Sequence, residues 1–352
     1  MAEFNHDNFS CPLPILEHDT IQLAHGSGGR LSAELIERMF LPRFANEILN
    51  RLEDQAVFEP GPGRLALTTD SFVVDPLFFP GGDIGELAVN GTVNDLCMSG
   101  ADPLYLSVAF IIEEGLPMAT LHRVLLSMEK AACAAGVRVV TGDTKVVHRG
   151  SCDKLFITTS GVGLLPAQAN ISAANLRPGD RIIVSGTIAD HGMAILTSRE
   201  GLSFHSRVFS DTAALNGLVA AMLAAGGQDL HALRDPTRGG LATTLNEFAA
   251  SSRVGIRLEE AAIPVRPEVR SACEILGIDP LCVANEGKLV AVVAEKSAEA
   301  VLAAMRSHPR GREAALIGEV LAEPRGLVAL RTGLGAQRIV DMPLGEQLPR
   351  IC

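Results

Sequence analysis

Tryptophan is absent from the 352 residues and tyrosine occurs once, which leaves little to stack nucleic-acid bases on. Positive charge is also scarce. Thirty lysines and arginines against 41 aspartates and glutamates give a net charge of −11, the wrong sign for a phosphate backbone. Nucleic acid is therefore not an expected partner. No apolar run reaches the roughly 18 residues needed to cross a bilayer, and the opening residues lack the basic-then-apolar plan of a secretion signal. The expectation is a cytoplasmic protein with no membrane partner. The seven cysteines are scattered, without a C-x-x-C pair or zinc spacing, and fit reduced thiols. Cys97, Cys133 and Cys273 lie in apolar helical patterns and are expected in the core.

A hydrophobic share of 47% against 20% charged residues is globular, and the length suits two domains. Residues 1–50 read as an N-terminal arm, a short strand at 21–24, a glycine-rich loop and a helix. Residues 51–166 alternate strands and helices as a compact α/β unit with its helices on one side of the sheet. Its strands are expected near 65–71, 104–112, 137–140 and 155–165, and its helices at 83–98 and 121–135. After a connector, residues 176–332 form a second α/β unit, with strands at 180–186, 256–259, 288–293, 315–320 and 327–330. Helices are expected there at 191–198, 212–225 and 239–251. Residues 333–352 read as a flexible tail.

The polar residues cluster at particular places. His25, Gly26, Ser27, Gly28 and Gly29 precede a helix, where free N–H groups and the helix dipole favour anions. The G-K-[S/T] ending of a Walker loop is missing, and the segment reads equally well as a flexible turn. Asp70 ends a strand. Asp83, Glu86, Asn90 and Asn94 share one helix face, with Asp95 beside it. Such a stripe is either a solvated face or one turned toward a ligand. Gly142, Asp143, Thr144 and Lys145 follow a strand, while Asp235 and Arg238 sit at a helix start and Glu286 just before a strand. The chain closes on Pro349, Arg350, Ile351 and Cys352. At about 3.3–3.6 Å per extended residue, the last ten residues could carry the Cys352 thiol through roughly 30 Å.

Together, T-T-D-S at 68–71, V-N-D-L at 93–96, G-D-T at 142–144, D-P-T-R-G-G at 235–240, A-N-E-G-K at 284–288 and the closing P-R-I-C form a set. This set resembles the HypE hydrogenase maturation factors, within the aminoimidazole ribotide synthetase and selenophosphate synthetase superfamily. The resemblance implies a two-domain fold of the aminoimidazole ribotide synthetase type, with ATP and Mg²⁺ bound between the domains and a homodimer formed through the first-domain sheets. It implies that a HypF carbamoyltransferase loads a carbamoyl group onto Cys352. ATP-dependent loss of water then gives a thiocyanate, whose cyanide passes to a HypC–HypD complex. By the same resemblance, Asp70, Asp95 and Asp235 hold the metal, and Lys145 and Glu286 serve the chemistry. The nucleotide falls to residues 25–29, Asp70, Asp83, Asn90, Asn94, residues 142–144 and Arg238. Two other readings stand beside this one: a selenophosphate-synthetase-like phosphotransfer enzyme that uses Cys11, and a non-catalytic carrier with a modified tail.

Overall fold

The structure, a computed structural model, describes residues 18–26, 30–52, 56, 58–59, 61–199, 208–343 and 350–352. Helix α1 (Arg30–Leu35) runs through a π-helical turn at Ile36–Phe40 into α2 (Leu41–Phe44). Strand β1 (Arg64–Phe72), the short hairpin β2 (Phe78–Phe79) and β3 (Gly82–Asp83), α3 (Ile84–Met98), β4 (Asp102–Glu113), α4 (Met118–Ala135), β5 (Arg138–Val147) and β6 (Leu155–Leu165) follow. The first sheet has the order β1-β6-β4-β5. Its inward side chains, Phe72, Leu106, Val108, Phe110 and Ile112, are buried with α3 and α4 in one core. The period-two alternation of β1 and β4 produces this half-buried sheet. On the outward face Leu65, Leu67 and Ile111 are exposed, Leu67 by 76%.

The second unit comprises β7 (Arg181–Val184), α5 (Asp190–Ser198), α6 (Asn216–Gly226), β8 (Leu230–Arg234), α7 (Gly240–Ser252) and β9 (Gly255–Glu259). It continues through α8 (Pro267–Leu276), β10 (Val290–Val293), α9 (Glu295–Ser307), β11 (Ala315–Leu321), β12 (Val328–Arg331) and β13 (Gln337–Ile339). These strands pair in the order β13-β12-β9-β11-β7-β10-β8. Ile182, Val184, Val290 and Val292 face a core shared with α7, whereas Ile183, Ala291 and Val293 face the core that continues into the first unit. Burial on both faces explains why β7 and β10 are uninterrupted apolar runs.

Several expectations are corrected. Residues 21–24 form no strand: after one bridge between Thr20 and Pro117 the chain turns into a 3₁₀ helix at Leu23–Gly26. Close packing sets this turn, since a Cβ on Gly26 would lie 2.4 Å from the Val146 backbone nitrogen. Residues 141–145 lie within β5 and do not follow it. Helix α6 begins at Asn216 and not at 212, because residues 212–215 are bonded across the domain junction. Cys133 is exposed, while Cys97 and Cys273 are buried as expected. The segment from 333 onward is not all tail, since β13 pairs with β12 and Val340 is buried.

Candidate active site

Two acidic elements meet on the inward face of the first sheet. Asp70 projects from β1 toward α3, and Asp95 in the last turn of α3 accepts a 2.7 Å bond from the Thr68 hydroxyl of the same strand. The second unit contributes two loops that are tied to each other. Asn285, fully buried, donates from its backbone and from its side chain to the Pro236 carbonyl, at 3.1 and 2.8 Å, and accepts from Ala189 N–H. This pins the segment with Glu286 against the segment with Asp235. Arg238 lies near enough to Asp70 and Asp95 to lower their proton affinity.

Electrostatics marks this seam. Burial, then the charges of Asp95 and Asp70, pushes the half-buried Asp235 carboxyl up to about 7. Glu286, only 3% exposed, is driven well above the ordinary carboxylate range by burial and then by Asp235, Asp211, Asp70 and Asp95. Its Oε1 has no hydrogen-bond partner. Asp70 and Asp95 are raised as well, mainly by burial. Four crowded carboxylates with raised proton affinity are a group that a hard divalent cation would relieve. Among the described residues no three His, Cys, Asp or Glu side chains already close around a metal position.

Other expected site residues are used elsewhere. Asp83 caps α3, accepting from Gly85 N–H at 2.8 Å, Glu86 N–H at 3.1 Å and the Ser127 hydroxyl. Asn90 donates to Thr212 Oγ1. Asn94, fully buried, donates to the carbonyls of Ala213 and Glu286 and accepts from Leu215 N–H. Asn90 and Asn94 of the α3 stripe thus join the two units, while Asp83, Glu86 and Asn90 also line a cavity of about 620 Å³. Lys145 is not near the seam. Asp70 pairs with Thr159, Thr159 with Val108, and Val108 with Gly142, so the row crosses the whole sheet, about 14 Å at three strand spacings. Asp143 and Lys145 stand at the far edge on the opposite face, paired with each other at 2.6 Å and mostly exposed. Gly142, Asp143, Thr144 and Lys145 instead line a cavity of about 460 Å³ with His25, Gly26, Ile36, Phe40 and Phe44. His25 there is buried and held below the usual histidine range by that burial, its Nδ1 accepting from Gln22 N–H. Ser27, Gly28 and Gly29, and Cys11 of the alternative reading, lie outside the described residues.

The end of the chain is docked. The Cys352 carbonyl accepts from Val73 N–H at 3.0 Å, one residue past β1, and the Arg350 carbonyl accepts from Asp75 N–H at 3.2 Å. Arg199 Nη2 also donates to the Arg350 carbonyl, and Arg350 donates to Val73 O and pairs with Asp153. The His191 ring meets the Ile351 carbonyl at 2.6 Å, and Ile351 itself is 5% exposed. Asp211, His191, Arg199 and Asp153 carried no motif signal, being common residue types in unremarkable polar stretches.

Two fused α/β units with an acidic seam between them define a class. Residues 52–165 match the family described as AIR synthase related protein, N-terminal domain, and residues 177–330 match its C-terminal domain. Within that class, the chain belongs to the HypE family of carbamoyl dehydratases. It is 56% identical over 332 residues to Carbamoyl dehydratase HypE of Rhizobium leguminosarum bv. viciae, covering 94% of this chain and 95% of that one. Among solved structures it resembles a hydrogenase maturation protein HypE in complex with ATP, with TM-score 0.90 and 53% identity over 94% of this chain and 99% of the other. It also resembles the chain of a HypE–HypF complex, with TM-score 0.78 and 52% identity over 88% and 99% of the two chains. The expected two-domain α/β fold and the expected family both hold.

Proposed function

We propose that this chain dehydrates a carbamoyl group carried on the Cys352 sulfur to a thiocyanate, with ATP as co-substrate, supplying the cyanide ligand of a [NiFe]-hydrogenase. The docked chain end carries the reading, because Cys352 is bonded to Val73, just past the strand that bears Asp70. Converting S–CO–NH₂ to S–CN removes one oxygen and two N–H protons. ATP, when bound, supplies the phosphoryl group that makes the oxygen a leaving group, which departs as phosphate. Glu286 takes one proton, and the other passes to solvent. The crowding that raises the proton affinity of Glu286 suits it to that task, and its unpartnered Oε1 leaves a lone pair for an incoming N–H.

Asp70, Asp95 and Asp235 would hold Mg²⁺, as hard oxygen donors do. His25, Gly26 and residues 142–144 are our candidates for the nucleotide. Lys145 lines the same cavity as residues 142–144, and reaches chemistry at the Asp70–Glu286 seam, across the sheet, through a second copy of the chain. The exposed Ile111 beside it and the exposed Leu65 and Leu67 on the other edge strand of the same face support a homodimer through that face. The HypE–HypF neighbour supports HypF as the carbamoyl donor; a HypC–HypD acceptor and a cytoplasmic location complete the reading. No helix among the described residues is long and apolar enough to cross a membrane. Measuring ADP release tests the function: release should require the carbamoylated tail and vanish in Cys352→Ala. Equal release from the unloaded protein would contradict coupling to dehydration.

A further inference from the structure

The second residue of α5, His191, is fully buried and lies edge-on to the Phe79 ring at 5.6 Å. Burial lowers its proton affinity, which favours the neutral ring. A carbonyl only accepts, so the 2.6 Å contact with the Ile351 oxygen requires the proton on Nε2. Nδ1 is then bare and must accept, and Ser210 Oγ donates to it at 2.8 Å while itself accepting from Thr212 N–H at 3.1 Å. One chain of hydrogen bonds thus fixes the tautomer that faces the tail. Between Ser210 and Thr212 lies Asp211, whose Oδ1 accepts from the Glu286 backbone N–H at 3.0 Å. A single turn contacts the seated tail through His191 on one side and holds the backbone of the base on the other.

We propose that His191 is the positioning residue that seats the reactive tail, holding Ile351 through Nε2 and tying that seat, through Ser210, to the turn that fixes Glu286. The inference deepens the proposed function and rests on Cys352 being the carrier. It has a consequence of opposite sign for the two steps. HypF must take the thiol out of this seat to load it, whereas dehydration needs the seat filled. Weakening the seat therefore favours loading and slows water loss.

The test uses the full-length protein and follows iodoacetamide alkylation of Cys352 by peptide mass spectrometry. His191→Leu removes the donor and should raise the alkylation rate about tenfold, the order expected for a lost buried hydrogen bond. His191→Gln keeps an N–H₂ at similar reach and should stay near the parent rate. Ser210→Ala leaves the ring in place and should raise the rate about threefold by releasing the tautomer, which keeps the test valid if the leucine variant misfolds. Loaded by HypF, His191→Leu should accept the carbamoyl group at least as fast as the parent and lose water about tenfold more slowly. Alkylation at the parent rate in both His191→Leu and Ser210→Ala would overturn the seat. Raised alkylation with unchanged water loss would overturn its role in positioning. If the parent protein itself never loses water, the proposed function fails, and the alkylation rates still report on the seat.

Discussion

Asp235 combines two demands that pull in opposite directions. Its carboxyl is pushed up to about 7, by burial first and by Asp95 second. The folded protein therefore keeps a proton that the unfolded chain releases near pH 4. Stability from this group is complete below about pH 4 and is lost as pH rises toward 7. Without Mg²⁺, the melting temperature should fall across that window, and Asp235→Asn should flatten part of the fall while weakening Mg·ATP binding. Calorimetry against pH with added EDTA checks this, and equal slopes for the two proteins would contradict it. Asp70, Asp95, Asp235 and Glu286 could be picked out in the sequence because each sits in a motif beside a turn. Asp211 and His191 could not, since their burial arises only when the two units close on each other. Asp83 and Asn94 were legible as polar residues on one helix face but not in purpose, because a cap and an inter-unit bond use the same chemistry as a ligand contact.

At the scale of elements, strands with strict alternation or unbroken apolar runs were legible, and β6 spans the residues expected of it. The short strand β8 and the amphipathic helices α8 and α9 are not among the expected elements. Strand β8 is too short to show a period, whereas α8 and α9 carry an amphipathic 3.6-residue spacing that the sequence did offer. The turn holding Asp211 against the Glu286 segment depends on Gly287, where a Cβ would lie 1.8 Å from the Asp211 carbonyl oxygen. Both sides of that contact are backbone, so no rotamer relieves it. Gly287→Ala should cost about 1–3 kcal/mol or more and slow dehydration even in the fraction that stays folded. A calorimetric midpoint equal to that of the parent would show that the two segments are not held this closely.

Over the whole molecule, the expected site divides into an inward acidic seam and an outward edge bearing Asp143 and Lys145. Proximity in the motif list did not reveal that they belong to opposite faces, since only strand order and register decide it. If Lys145 acts at the Asp70–Glu286 seam, a second copy must supply it. Mixing Lys145→Ala with Glu286→Gln, each inactive alone, should then restore roughly a quarter of the parent rate, from one intact site in each mixed dimer. A mixture as inactive as its components would argue for action within one chain or for a structural role of Lys145. The central claim is that Cys352 carries the group that loses water, with Glu286 taking a proton. Intact-mass analysis with HypF, carbamoyl phosphate and ATP tests this most directly. The parent protein should gain one carbamoyl group on Cys352 and then lose one water, while Glu286→Gln should stop at the carbamoyl adduct. An adduct on another residue, or water loss at the parent rate in Glu286→Gln, would contradict the account.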